Sequence, residues 1–289
     1  MTMKFSINTN ALRKKCTIDE IVKIALDAGV QGIEWGLGPL DDVAKETQAM
    51  RKATEDAGLE VVSYINGGKL WKTDEIRRYS EAVAAGGGHI LRVAHPWFAY
   101  NYDEAVHQPD SFMTLVEMSR EGLAKLMDLG KEYNMRYVLE THDASCFASP
   151  LTVPWILKDF DPKYCGVIYD PANTILEGFV RPRGAVEIMG DYIAYIHAKN
   201  IAFVEKVDEN GKTVFTRQRR TVDKGMLDYV ELMFALKMHN WHGFFSFEEF
   251  VTPEPSQVAE EVRKGIEHLK KCREAAHDAP CEPFVSYNR

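Results

Sequence analysis

The chain has 289 residues, 45% of them hydrophobic, which is long for an ordinary domain but normal for one closed barrel of eight strand–helix units. Its formal charge of −8 argues against a nucleic-acid surface, which is usually basic, and leaves a small anionic substrate open. Five scattered cysteines, Cys16, Cys146, Cys165, Cys272 and Cys281, have no CxxC spacing, so neither a disulfide framework nor a zinc knuckle is indicated.

Met1 to Phe5 run straight into a strand-like segment without a signal-type apolar core, and no apolar run is long enough to span a bilayer. A soluble cytoplasmic protein is the expectation. Strand-like and helix-like segments then alternate from end to end, the pattern of parallel βα units. Lys4 to Asn8 reads as the first strand, and Thr17 with Glu20 forms a capping box for a helix that stops at Gly29. The second strand is Val30 to Trp35, a helix runs from about Asp42 to Ala57, and Leu59 to Ile65 is the third strand. A helix from Asp74 to Ala85 closes on three glycines before the fourth strand, His89 to Ala94. The long connection from His95 to Asp110 is unusually aromatic, with Trp97, Phe98, Tyr100 and Tyr102, and reads either as a functional loop or as an Ω-like loop packed on itself.

The next helix, Ser111 to Tyr133, leads into a fifth strand ending on Glu140. A short helix around Pro154 to Lys158 precedes the sixth, ending on Asp170. At most a short helix, Ala185 to Met189, precedes the seventh, ending on His197. A polar insertion, Val204 to Asp223, carries Arg217, Arg219 and Arg220. A helix from Met226 to His239 then leads to the eighth strand and Glu248. Ser256 to Arg273 is the closing helix, and the tail from Ala275 reads as an irregular arm. No linker divides the chain, so residues 1–289 are expected to form a single α/β domain, a (β/α)8 TIM barrel.

Four strands therefore finish on Glu140, Asp170, His197 and Glu248, the end at which such barrels carry their active sites. Alternation sends Val138 and Glu140 to one face and Leu139 to the other. A carboxylate that ends a buried strand must pair, change protonation or bind a metal. Three hard oxygen donors with one imidazole suit Mn²⁺, Mg²⁺, Co²⁺ or a mixed-ligand Zn²⁺ better than a thiolate site does.

Leu139-Glu140-Thr141-His142, Tyr169-Asp170-Pro171-Ala172-Asn173, His197-Ala198-Lys199-Asn200 and Ser246-Phe247-Glu248 resemble the xylose isomerase-like TIM-barrel superfamily. The likeness points to its sugar isomerase/epimerase group, which includes ketose 3-epimerases, hydroxypyruvate isomerases and inosose dehydratases. It implies that Glu140, Asp170, His197 and Glu248 hold one divalent ion, Mn²⁺ foremost, with Glu249 the register alternative to Glu248. It also implies that Glu140 and Glu248 act as base and acid across a bound carbohydrate, through an enediolate. One departure is Asn173, where many epimerases of the group carry a histidine; an amide hydrogen-bonds a hydroxyl but takes up no proton at neutral pH.

Candidate substrate contacts are His142, Asn173, Lys199, Arg219, Glu34 and Trp97, each weighed against a packing or ion-pair role. His89 and His95 are candidates for extra ligands of a polynuclear site. Two further activities share this scaffold in outline: a lyase of the inosose dehydratase or 3-keto-glycoside-cleaving kind, working with a second subunit, and an endonuclease IV-like DNA-repair enzyme. The latter needs more ligands and a basic groove. A homo-oligomer, dimer or tetramer, is the expected assembly.

Overall fold

In a computed structural model, residues 1–38, 43–96, 112–143, 145–176, 178, 180–248, 251 and 254–278 are described. Eight parallel strands close into a barrel: β1 Met3–Asn8, β2 Gly32–Gly36, β3 Glu60–Ile65, β4 Ile90–Arg92, β5 Arg136–Glu140, β6 Cys165–Tyr169, β7 Ile193–Ala198 and, after an excursion described below, β10 Gly243–Phe247. Closure pairs β1 with β10, in a register that sets Ser6 opposite Ser246. Helices α1 Ile18–Ala28, α2 Val43–Asp56, α3 Thr73–Ala85, α4 Phe112–Tyr133, α5 Val153–Leu157, α6 Pro171–Leu176, α7 Pro182–Met189, α8 Tyr229–Met238 and α9 Pro255–Asp278 connect the strands and close the chain. The capping box expected at Thr17 is formed, with Gly29 left-handed at the far end of α1. Among the described residues no helix is long and apolar enough to cross a membrane.

Alternation along the strands fills the barrel in layers. Val62, Val138, Ile168 and Tyr195 form an inner apolar cluster, separate from the main core between strands and helices, which takes Leu139, Val167 and Ile196. Below this plug, Arg136 donates to the backbone carbonyls of Cys165, Asp191 and Tyr192, and Gly166 leaves it room. Above it lie the strand ends and the polar groups.

Three expectations change. The polar insertion is an antiparallel hairpin, β8 Asn200–Val207 with β9 Thr213–Arg220, beginning directly after β7. Its alternating pattern in Thr213–Arg220 is a strand signal that the charge content obscured. Helix α7 starts at Pro182, a residue well suited to a first helical turn, and α9 continues through Ala275 to Asp278. Trp97 and the rest of the aromatic connection from residue 97 to 110, Glu249, and the tail from residue 279 lie outside the described residues.

Candidate metal centre

Glu140 is the last residue of β5, and Asp170 directly follows β6. His197 is the penultimate residue of β7, and Glu248 directly follows β10. Because all four point inward at the same end of the barrel, they converge. One ligand atom from each lies within 4.8 Å of the others, and all four residues are buried. His197 Nδ1 faces the carboxylates, 3.1 Å from Glu140 Oε1, 3.6 Å from Asp170 Oδ2 and 3.8 Å from Glu248 Oε2.

The charge around this cluster argues for a cation. Counting Glu34, which touches His197, four carboxylates are buried together with two cationic side chains, Arg92 and Lys199. Arg92 contacts Glu140 Oε2 at 2.6 Å, and Lys199 Nζ lies 2.7 Å from Asp170 Oδ2 and 2.5 Å from Glu248 Oε2. With His197 neutral, as a metal ligand must be, two negative charges are left over, which a divalent ion would neutralise, and three carboxylates with an imidazole are a donor set that such ions accept. The residues present fit the metal.

Proton affinities reflect the same crowding. Burial alone would raise the Glu140 carboxyl, yet Arg92, His197 and Lys199 hold it well below the usual carboxylate range. Burial would lower His197, yet Glu34, Glu140 and Glu248 push it well above the usual histidine value. Burial likewise opposes the Lys199 ammonium, which Asp170 and Glu248 nonetheless stabilise.

The candidate ligands are themselves held. Asn173, in the first turn of α6, donates its backbone N–H to Asp170 Oδ1 at 2.9 Å, and its side-chain amide reaches Asp170 Oδ2 at 2.9 Å and Glu140 Oε1 at 3.3 Å. Thr141 Oγ1 accepts from the Asp170 backbone N–H at 2.8 Å, tying the ends of β5 and β6 together. Tyr229 donates to the Lys199 carbonyl at 2.8 Å.

The other residues singled out in the sequence fall in three places. Glu34 is fully buried beside His197, accepting from its Nε2 at 3.1 Å. Lys199 and Arg219 border one recess with Glu248 and Val251, so the hairpin reaches the site. His142, half-buried, sits at the rim with Nδ1 2.8 Å from Asp143 Oδ1, and Arg217 of the hairpin pairs with the same Asp143. His142 and Arg217 hold that carboxyl well below its ordinary range. His95 is buried behind Glu140, with Nε2 3.1 Å from its backbone oxygen, and burial pushes it down to about 4, while His89 lies exposed just before β4. Neither joins the four-residue cluster. Trp35 packs outward, donating to Thr54 Oγ1 at 3.0 Å.

Sequence reading passed over Arg92, Tyr195 and Ser63. Arg92 follows Ile90 at inward spacing and Tyr195 precedes His197 by two, so alternation was the signal available for both. Ser63 had none, because β2 and β3 change register between Ile33 and Glu34.

The family's sequence model, described as xylose isomerase-like TIM barrel, matches residues 22–272. The chain belongs to the xylose isomerase-like TIM-barrel family. Among solved structures, this family member is similar to a 3-keto-D-glucoside 4-epimerase from E. coli, at 18% identity and a TM-score of 0.71, covering 94% of this chain and 100% of that one. It is similar to a D-psicose 3-epimerase crystallised with D-fructose, at 15% identity and a TM-score of 0.73, covering 94% and 99%. It is also similar to an enzyme assigned as the probable 3-DHS dehydratase of petrobactin synthesis in Bacillus anthracis, at 16% identity and a TM-score of 0.66, covering 90% and 98%. At these identities the likeness establishes the fold. A search of the curated proteins finds no match.

Proposed function

We propose that this family member is a divalent-metal-dependent isomerase or epimerase of a keto-sugar or related polyol. The observation that carries the reading is the convergence of Glu140, Asp170, His197 and Glu248 at the active-site end of the barrel, where their carboxylates outnumber the cationic side chains beside them. The proposed ion, Mn²⁺ foremost with Mg²⁺, Co²⁺ or Zn²⁺ as substitutes, acts when bound as a Lewis acid that stabilises charge developing on the substrate carbonyl.

The protein's own part is proton transfer and positioning. Glu140 and Glu248 are the proposed pair: one takes the proton α to the carbonyl, and the other delivers a proton from the opposite face. Return to the same carbon gives an epimer, and return to the neighbouring carbon an aldose–ketose isomer. Arg92 keeps Glu140 ionised, the form a base needs. Lys199 and Arg219, bordering one recess beside Glu248, are the proposed holders of substrate oxygens, joined by His142, Asn173 and Trp97. A soluble cytoplasmic homo-oligomer acting on a small carbohydrate completes the reading.

A lyase on the same scaffold is the second reading. Asn173 favours it, because its amide, which donates to Asp170 and Glu140, takes up no proton at the position where many epimerases of the group carry a histidine. Likeness to the 3-DHS dehydratase fold is compatible with it.

Solvent-deuterium incorporation into a panel of ketoses, followed by NMR with Mn²⁺ and then with chelator, tests the proposal. Exchange α to the carbonyl is expected with metal, lost with chelator, and reduced on the order of 10³-fold in Glu140→Gln. Water loss or aglycone release without an epimer would decide for the lyase. No exchange with any ketose despite metal binding would sink the isomerase reading.

A further inference from the structure

Glu34, on β2, lies on the other side of His197 from the carboxylates of Glu140, Asp170 and Glu248, and its own carboxylate receives three donors. His197 Nε2 lies 3.1 Å and Tyr195 Oη 2.7 Å from Oε1, and Ser246 Oγ lies 2.5 Å from Oε2. Tyr195 Oη in turn lies 2.8 Å from Ser63 Oγ. Each group is buried, with 1% exposure or less.

The directions of these bonds follow from the inventory of donors. An ionised carboxylate only accepts, so Tyr195 and Ser246 must donate to Glu34, and Ser63 must then donate to Tyr195. His197 must carry a proton on Nε2 to complete the set. By the same rule Nδ1, 3.1 Å from Glu140 Oε1, donates there while no ion is bound; an ion among Glu140, Asp170 and Glu248 would take the place of the Nδ1 proton, and the Nε2 proton would stay on its bond to Glu34. Three donors converge on the two oxygens of Glu34, an arrangement that an acceptor-only carboxylate satisfies.

Resting on the metal-site reading above, we propose that Glu34 is a positioning residue for the metal centre: with Tyr195, Ser63 and Ser246 it locks His197 in the Nε2-protonated tautomer and aims Nδ1 at the ion. The substrate does not touch it. A carboxylate behind a metal-ligating imidazole also raises the basicity of the ligating nitrogen, so the network sets affinity as well as orientation. Tyr195 has a second part, since its ring belongs to the apolar plug and fixes the height at which the hydroxyl meets Glu34.

Calorimetric titration of metal-stripped protein with Mn²⁺, alongside thermal melting of the stripped form, separates this role from packing. Glu34→Gln is expected to weaken Mn²⁺ binding by about 10- to 100-fold. Tyr195→Phe, which removes one hydroxyl and keeps the ring, is expected to weaken it by a smaller factor while the stripped protein melts close to wild type. In the Mg²⁺-loaded protein, ¹⁵N NMR should show His197 protonated at Nε2, and Tyr195→Phe should broaden or shift that signal. Unchanged Mn²⁺ affinity in both variants would overturn the inference, as would an Nδ1-protonated His197. Should Glu34→Gln fail to fold, Tyr195→Phe decides alone. Asp170→Asn is the control: if wild type and Asp170→Asn bind Mn²⁺ equally, or neither binds, the metal reading itself fails, whereas loss in Asp170→Asn with no change in the Glu34 and Tyr195 variants defeats only the positioning role.

Discussion

Two arginines enter the barrel from opposite ends, and their surroundings differ in kind. Arg92, at the end of β4, meets a buried carboxylate, Glu140, at 2.6 Å. Arg136, at the start of β5, donates instead to backbone carbonyls, those of Cys165, Asp191 and Tyr192. Burial disfavours both cations, but Glu140 and Glu248 raise Arg92 above its ordinary value, while at Arg136 burial outweighs the raising effect of Cys165 and Asp191 and the guanidinium is lowered. The same side chain is thus an electrostatic component of the mouth and a hydrogen-bonding cap on the floor. The apolar plug of Val62, Val138, Ile168 and Tyr195 separates them. Charge balance concerns the mouth; close fit concerns the floor.

The largest effect that would break this contrast comes from Arg92→Met. Removing the guanidinium leaves Glu140 buried with one fewer compensating charge, and breaking a buried pair from one side costs about 3–5 kcal/mol. In chelator the variant should lose stability of that order in denaturant melts. Adding Mn²⁺ should restore part of it, because the ion supplies positive charge at the same carboxylate. A loss as large for Arg136→Met, or none for Arg92→Met, would erase the distinction between the two ends.

The floor is sharpened by Gly166→Ala. A Cβ there would lie 2.8 Å from Arg136 Nε and 2.8 Å from the Tyr192 carbonyl oxygen, and the second of these is backbone that yields little. Overpacking of this kind costs about 1–3 kcal/mol. Stability should fall by that amount while Mn²⁺ affinity stays at the wild-type value, since every group at the mouth keeps its partners. A change in metal affinity would show that strain passes through the plug.

How much of this could be read beforehand follows from which rule governs each residue. The four strand-end groups were legible because period-two alternation and the abrupt end of an apolar run are local properties. Arg92 obeyed the same alternation, but β4 spans only Ile90–Arg92, too short for a pattern to stand out. Glu34 was legible as a substrate contact or a structural pair, but its partners were not, because they sit on β7 and β10, which only closure brings to it. Asn173 was read as a hydroxyl ligand on its chemistry; the turn of α6 that directs its amide to Asp170 and Glu140 is a matter of backbone path. The hairpin was taken for a loop because three arginines near its end mask the strand alternation.

That hairpin provides the smallest and most local test. Arg217 pairs with Asp143 beside His142, and the guanidinium is more than half exposed, so water screens the pair. Exposed pairs of this sort contribute about 0–1 kcal/mol, and Arg217→Ala should leave global stability within that range. Its consequence lies in the rim's geometry. Asp143 keeps His142 as a partner, whereas β9 loses this link to the loop after β5 and keeps its pairing with β8 and the turn near Asn200. Because Arg219 stands two residues along the same strand and borders the recess with Lys199 and Glu248, freeing the strand should raise KM by a few-fold with kcat and Mn²⁺ affinity nearly unchanged. An effect on kcat equal to that on kcat/KM would instead place the hairpin in the chemical step, and the division between a metal centre set by the barrel and a rim set by the insertion would have to be redrawn.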